Sequence, residues 1–166
     1  MRPGLIFTAA ATAAALTLAS VQASAEKREE DGKWLDENDV ITFNVQKDGT
    51  VDWFTYNGFR RYHGECHVCH GPDGLGSTYA PALVDSVKVI DYDKFAETIM
   101  SGRTVHKADG SESVMPAFGD NMNIACYVED IYAYLLARAS GELGRGRPGK
   151  RADKPESAKE AESACR

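Results

Sequence analysis

The string Cys66-His67-Val68-Cys69-His70 constrains this chain more than any other feature. On one helical turn, residues at i, i+3 and i+4 share a face. Two thiols and one imidazole are thereby presented together. That spacing attaches a heme covalently, each sulfur bonding to one vinyl group while the imidazole ligates the iron. Cys66, Cys69 and His70 are the expected residues for one covalent heme c. Two other readings of Cys-x-x-Cys lack context. A thioredoxin-like redox pair sits in a βαβ surround, and a structural zinc site needs a second ligand pair. The sequence offers neither.

Iron held in this way has a sixth position, either ligated or open. His106, Met115 and Met122 are the downstream candidates. Met115 is preferred because it precedes Pro116 in a loop just before the last helix, and the rigid proline helps to hold a thioether in place. Histidine and methionine together favour reduced iron and suit electron transfer. His106 or an open face is the alternative. His63 lies within a turn of the motif and cannot reach the far face of the heme. His67 is expected to point outward.

The N-terminus reads as an export signal. Arg2, the apolar run Leu5–Leu18 and Ala23-Ser24-Ala25 have the order of a cleaved secretory peptide, with cleavage after Ala25. No later segment is apolar enough to cross a membrane, and the body from residue 26 is expected to be a soluble monomer in the periplasm. Residues 26–140 hold 11 basic and 20 acidic residues, a balance of −9. A body this acidic repels nucleic acid and anionic lipid.

Along the chain, residues 26–39 are polar and expected to be loose. Ile41, Phe43 and Val45 alternate with polar residues, and Asp48-Gly49 leads into Thr50–Trp53. The pattern predicts a β-hairpin, with Asp48 and Gly49 both at positive φ. Helical spacing starts at Asn57, with Phe59, Tyr62 and Cys66 on one face, and the glycines from Gly71 to Gly76 break it. A helix is predicted over 92–101, capped by Asp91 and stopped by Gly102. Residues 103–122 read as a polar loop, and 123–139 as the last helix, with Ile124, Tyr127, Val128, Ile131 and Leu135 facing the core. The tail 141–166 is rich in Gly, Pro, Lys, Glu and Ala and is expected to be flexible.

Two cysteines stand outside the motif. In an oxidising compartment a lone thiol is a liability, so Cys126 and Cys165 are expected to form one disulfide that tethers the tail. Two free thiols, or a bond from Cys165 to another chain, are the alternatives.

These residues resemble a class I cytochrome c over about residues 55–140. Gly58 and Tyr62 match the family's first helix, where glycine permits close crossing with the last helix. Cys66, Cys69 and His70 match its heme motif, Pro81 its loop proline, Met115 its axial ligand and Tyr134 an aromatic of its final helix. The resemblance implies that the Pro81 carbonyl accepts the His70 Nδ1 proton. A narrower resemblance is to the four-cysteine cytochromes of methanol-metabolising bacteria. It rests on Trp53–Gly58, on the string from Cys66 to Gly74 and on the Cys126/Cys165 pair. It implies a one-electron acceptor for a periplasmic quinoprotein methanol dehydrogenase, passing electrons to another cytochrome or an oxidase. A different periplasmic dehydrogenase is the alternative donor, and an open-site heme enzyme or sensor is the alternative to a carrier. The expected fold is mainly α, a cytochrome c fold around one heme with a small N-terminal hairpin. The expected organisation is a signal peptide (1–25), an extension with the hairpin (26–54), the heme domain (55–140) and the tethered tail (141–166).

Overall fold

A computed structural model describes residues 26–106 and 108–165. The expected signal peptide and its cleavage site lie outside the described residues. The chain opens with a three-stranded antiparallel sheet of β1 (Arg28–Glu30), β2 (Lys33–Leu35) and β3 (Ile41–Thr42). Residues 26–39 are therefore ordered rather than loose. Asp31 and Gly32, at φ 50° and 83°, make the two-residue turn between β1 and β2. Such a turn needs positive φ at both positions, which an Asp-Gly pair tolerates.

The expected hairpin is present, but in altered form. Val45 bridges Val51, Gln46 N–H donates to Thr50 O at 2.9 Å and Gly49 N–H donates to Gln46 O at 2.9 Å. Of the expected turn pair only Gly49 has positive φ. The strand after it, β4 (Thr50–Val51), stops before Trp53. Asp52 instead caps α1 (Trp53–Arg61), its carboxylate accepting from Thr55 N–H at 2.8 Å. A capping side chain satisfies an otherwise orphaned amide, which is why the helix begins here rather than at Asn57.

After α1 the chain widens into a π-helical segment, Tyr62–Cys66, and then resumes as α2 (His67–His70). A 3₁₀ turn (Pro72–Gly74), α3 (Leu83–Ser86) and α4 (Tyr92–Ser101) follow. Asp91 caps α4 through Lys94 N–H at 2.8 Å, and Gly102 ends it at φ 71°. Residues 103–122 are not a plain loop. β5 (Arg103–His106) and β6 (Glu112–Met115) pair in antiparallel register, with Arg103 opposite Met115. Thr104, Val105 and Val114 favour strand, and the exposure of this hairpin hid the pattern behind its polar residues.

The predicted last helix is two pieces, α5 (Met122–Ala125) and α6 (Val128–Ser140), separated at Cys126 and Tyr127. α6 crosses α1 at Gly58, where an added Cβ would lie 1.8 Å from Asp130 O. Only glycine permits that approach. Tyr62, Tyr134, Ile124, Ile131 and Leu135 are fully buried around the crossing. Among the described residues no helix is long and apolar enough to cross a membrane.

The tail departs furthest from expectation. β7 (Lys150–Arg151) pairs in parallel with β4, and α7 (Glu156–Ala164) lies against α1, with Ala158 buried beside Trp53 and Phe54. Arg151 covers Trp53 at 4.7 Å, and Arg147 donates to Tyr56 Oη at 2.7 Å. Few apolar residues are needed when cations pack on aromatic faces and pair with an acidic body.

Candidate heme site

The motif's geometry is set by the loop that follows it. Gly71, at φ 73°, begins a turn so tight that an added Cβ would lie 2.2 Å from Gly76 O. Gly76 N–H returns to His70 O at 2.7 Å. Tyr62 Oη donates to Gly71 O at 2.6 Å and lies 3.3 Å from His70 O. Burial, with the nearby Cys66 and Asp73 adding to it, pushes the Tyr62 phenol well above its usual range, so it remains a donor. The loop curls until His70 Nδ1 reaches Pro81 O at 2.9 Å. A carbonyl only accepts, so Nδ1 carries the proton and Nε2 keeps its lone pair. That tautomer is the one a metal-ligating imidazole requires.

Cys66 ends the π-helical segment, half-buried, and Cys69 is exposed on α2. Neither is in a disulfide. Burial, with Glu65 and Cys69 adding to it, pushes the Cys66 thiol up to about 12. Val68, inside the motif, and Leu75 and Tyr79, after it, are exposed.

Met115 ends β6, half-buried against the core. Its segment is laced to the end of α4: Phe118 N–H donates to Ile99 O at 2.9 Å and Gly119 N–H to Met100 O at 3.1 Å. The competing ligands are placed otherwise. His106 is exposed at the outer end of the hairpin, 2.9 Å from Glu112 Oε1. Met122 is 52% exposed at the start of α5. His63 Nδ1 donates to Phe59 O at 2.9 Å. His67 is half-buried and stacked on His63 rather than pointing freely outward. Cys126 and Cys165 form the expected disulfide, 6.2 Å apart at Cα.

These donors suit a heme. Two sulfurs and an imidazole with a free Nε2 share one turn, and a thioether sits on a braced strand end. Sequence reasoning passed over one residue, Asp73. It is 4% exposed, holds φ 59°, and receives bonds from the tail. Its Pro-Asp-Gly context signalled a turn but nothing of its burial.

No family profile matches the chain. It is 50% identical over 157 residues to cytochrome c-553I of Paracoccus denitrificans, a match spanning 94% of this chain and 69% of that protein. It is 36% identical over 97 residues to cytochrome c-555 of Methylococcus capsulatus, covering 58% of this chain and 72% of that one. The crystal structure of the c-type cytochrome XoxG from Methylobacterium extorquens AM1 superposes with a TM-score of 0.77 at 55% identity, covering 87% of each chain. With the heme motif on one turn and relatives matched over most of their length, the chain belongs to the class I c-type cytochromes, which carry covalently bound heme c.

Proposed function

We propose that this protein is a periplasmic one-electron carrier that accepts electrons from a quinoprotein methanol dehydrogenase and passes them to another cytochrome or an oxidase. Cys66 and Cys69 hold the heme through thioethers, His70 and Met115 ligate its iron, and the group supplies one-electron iron chemistry when bound. The observation that carries this reading is the His70 imidazole, presented with its proton on Nδ1 toward Pro81 O at 2.9 Å and Nε2 free. The residues around it act by position. Tyr62 and Gly76 fix the backbone of the ligand turn. Pro116 and the bonds to α4 hold the Met115 segment. The heme edge near Cys66 and Cys69 is the transfer face, and Val68, exposed between the two cysteines, is available to a partner there.

The donor rests on the resemblance to the four-cysteine methanol-metabolism cytochromes. The bonded Cys126–Cys165 pair and the ordered extension before α1 both support it. The same reading takes residues 1–25 as a cleaved signal and 55–140 as the heme domain. Stopped-flow mixing of the oxidised cytochrome with reduced methanol dehydrogenase tests the donor. Reduction much faster than with an unrelated quinoprotein dehydrogenase is expected; equal rates would discard methanol and leave the carrier.

A further inference from the structure

Asp73 gathers four residues from three other parts of the molecule. Gly146 N–H donates to its Oδ1 at 2.9 Å, and Arg145 Nε donates to its Oδ2 at 3.3 Å. Tyr134 Oη, on α6, lies 3.5 Å from Oδ1. His63 Nε2, on the π-helical segment, faces the same oxygen at 3.8 Å, beyond hydrogen-bond reach. Asp73 itself belongs to the loop that begins at His70, three residues after that ligand. Its side chain is 5% exposed, whereas that of Arg145 is 70% exposed. Its backbone is held at φ 59°, which a non-glycine residue adopts at a cost.

We propose that Asp73 is a positioning and potential-setting residue for the heme, a buried fixed anion beside the ligand loop whose charge the C-terminal tail compensates through Arg145 and Gly146. The inference rests on the heme being held at Cys66, Cys69 and His70. A buried anion stabilises ferric over ferrous iron and so lowers the reduction potential, while a cation set against it raises the potential again. The carboxylate stays ionised. Burial alone would raise its pKa, but the Gly146 and Arg145 bonds outweigh it, with Arg138 and His63 adding to them, and the net direction is down. The tail is thereby part of the electron-transfer site, although the heme motif lies more than seventy residues before it.

The test is equilibrium redox titration of the holoproteins. Attachment of heme to the parent protein is verified first by mass; its failure would remove the proposed heme site and this inference with it, whereas a loaded protein with unchanged potentials would remove the inference alone. Asp73→Asn keeps the shape and removes the charge. The expected result is a rise in midpoint potential equal to about a tenfold shift in the reduced-to-oxidised ratio, 59 mV for one electron. Arg145→Gln removes the compensating cation and is expected to shift the potential downward, by less, because its side chain is exposed. Opposite signs are the signature, since simple loosening of the loop moves both variants the same way. Unchanged potentials, or shifts of one sign, would overturn the proposal. Should Asp73→Asn fail to fold, Arg145→Gln decides alone: a lowered potential supports it, and an unchanged or raised one overturns it.

Discussion

At the residue scale, the α1–α6 crossing carries a buried carboxyl that its own environment opposes. Asp130 is 5% exposed beside Gly58, and Asn57 Nδ2 donates to it at 2.7 Å. Burial pushes its pKa up to about 7; the Asn57 bond and Lys33 pull it only partly back. The folded protein therefore holds a proton that the unfolded chain releases near pH 4. The contribution of this carboxyl to stability is most favourable below that unfolded value, falls as pH rises toward 7, and levels above it. Asp130→Asn keeps the shape without the titration, and its amide can donate to the buried Asn57 Oδ1, which has no donor among the described residues. Urea denaturation across pH 4 to 8 is expected to show the variant gaining on the parent, by on the order of 4 kcal/mol above pH 7. Parallel pH profiles would refute this reading. Gly58 itself was legible in the sequence because the resemblance to class I cytochromes c named it. Asp130 was not, because a charged residue on a helix normally faces water and only the crossing buries it.

At the element scale, what was readable depended on whether an element announces itself locally. α4 matched its prediction at both ends, since Asp91 and Gly102 are unambiguous cap and stop. The β5–β6 hairpin did not, since its strands are exposed and its register is set by the partner strand. That hairpin delivers Met115, and one glycine governs its entry. Gly102 sits at φ 71°, and a Cβ there would lie 2.7 Å from both Met115 O and Ala117 N. Gly102→Ala must therefore displace the Met115 backbone or distort the end of α4. The expected outcome is weakened ligation: the iron–sulfur charge-transfer band of the oxidised protein fades while covalent heme is retained. Met115→Ala should abolish the band outright. A Met115→Ala protein with an unchanged low-spin spectrum would reassign the ligand to His106 or Met122.

At the scale of the whole molecule, the tail turns an ordinary heme domain into a belted one. Composition suggested flexibility because it counts apolar residues, and this tail has few. Its anchors are of another kind. Arg145 meets Asp73, Lys150 meets Asp48 at 3.2 Å, and Arg147 and Arg151 lie on Tyr56 and Trp53. A basic segment thus lies along a body whose balance is −9. Each exposed pair contributes little alone, so the bond between Cys126 and Cys165, 39 positions apart, is what keeps them together. Closing a loop of that length removes about 4 kcal/mol of unfolded-chain entropy. Replacing both cysteines with serine is expected to lower unfolding stability by up to that amount. It should also make the tail the first site of limited proteolysis, with cuts between residues 141 and 165. Proteolysis of the tail with no change in the global midpoint would show that the tail opens independently of the body. In that case the tail's hold on Asp73 would depend on its local contacts alone, and the potential of the serine variant would drift toward that of Arg145→Gln. If the tail and body unfold together, the potential of the folded variant should stay at the parent value. The two measurements together locate the boundary of the cooperative unit.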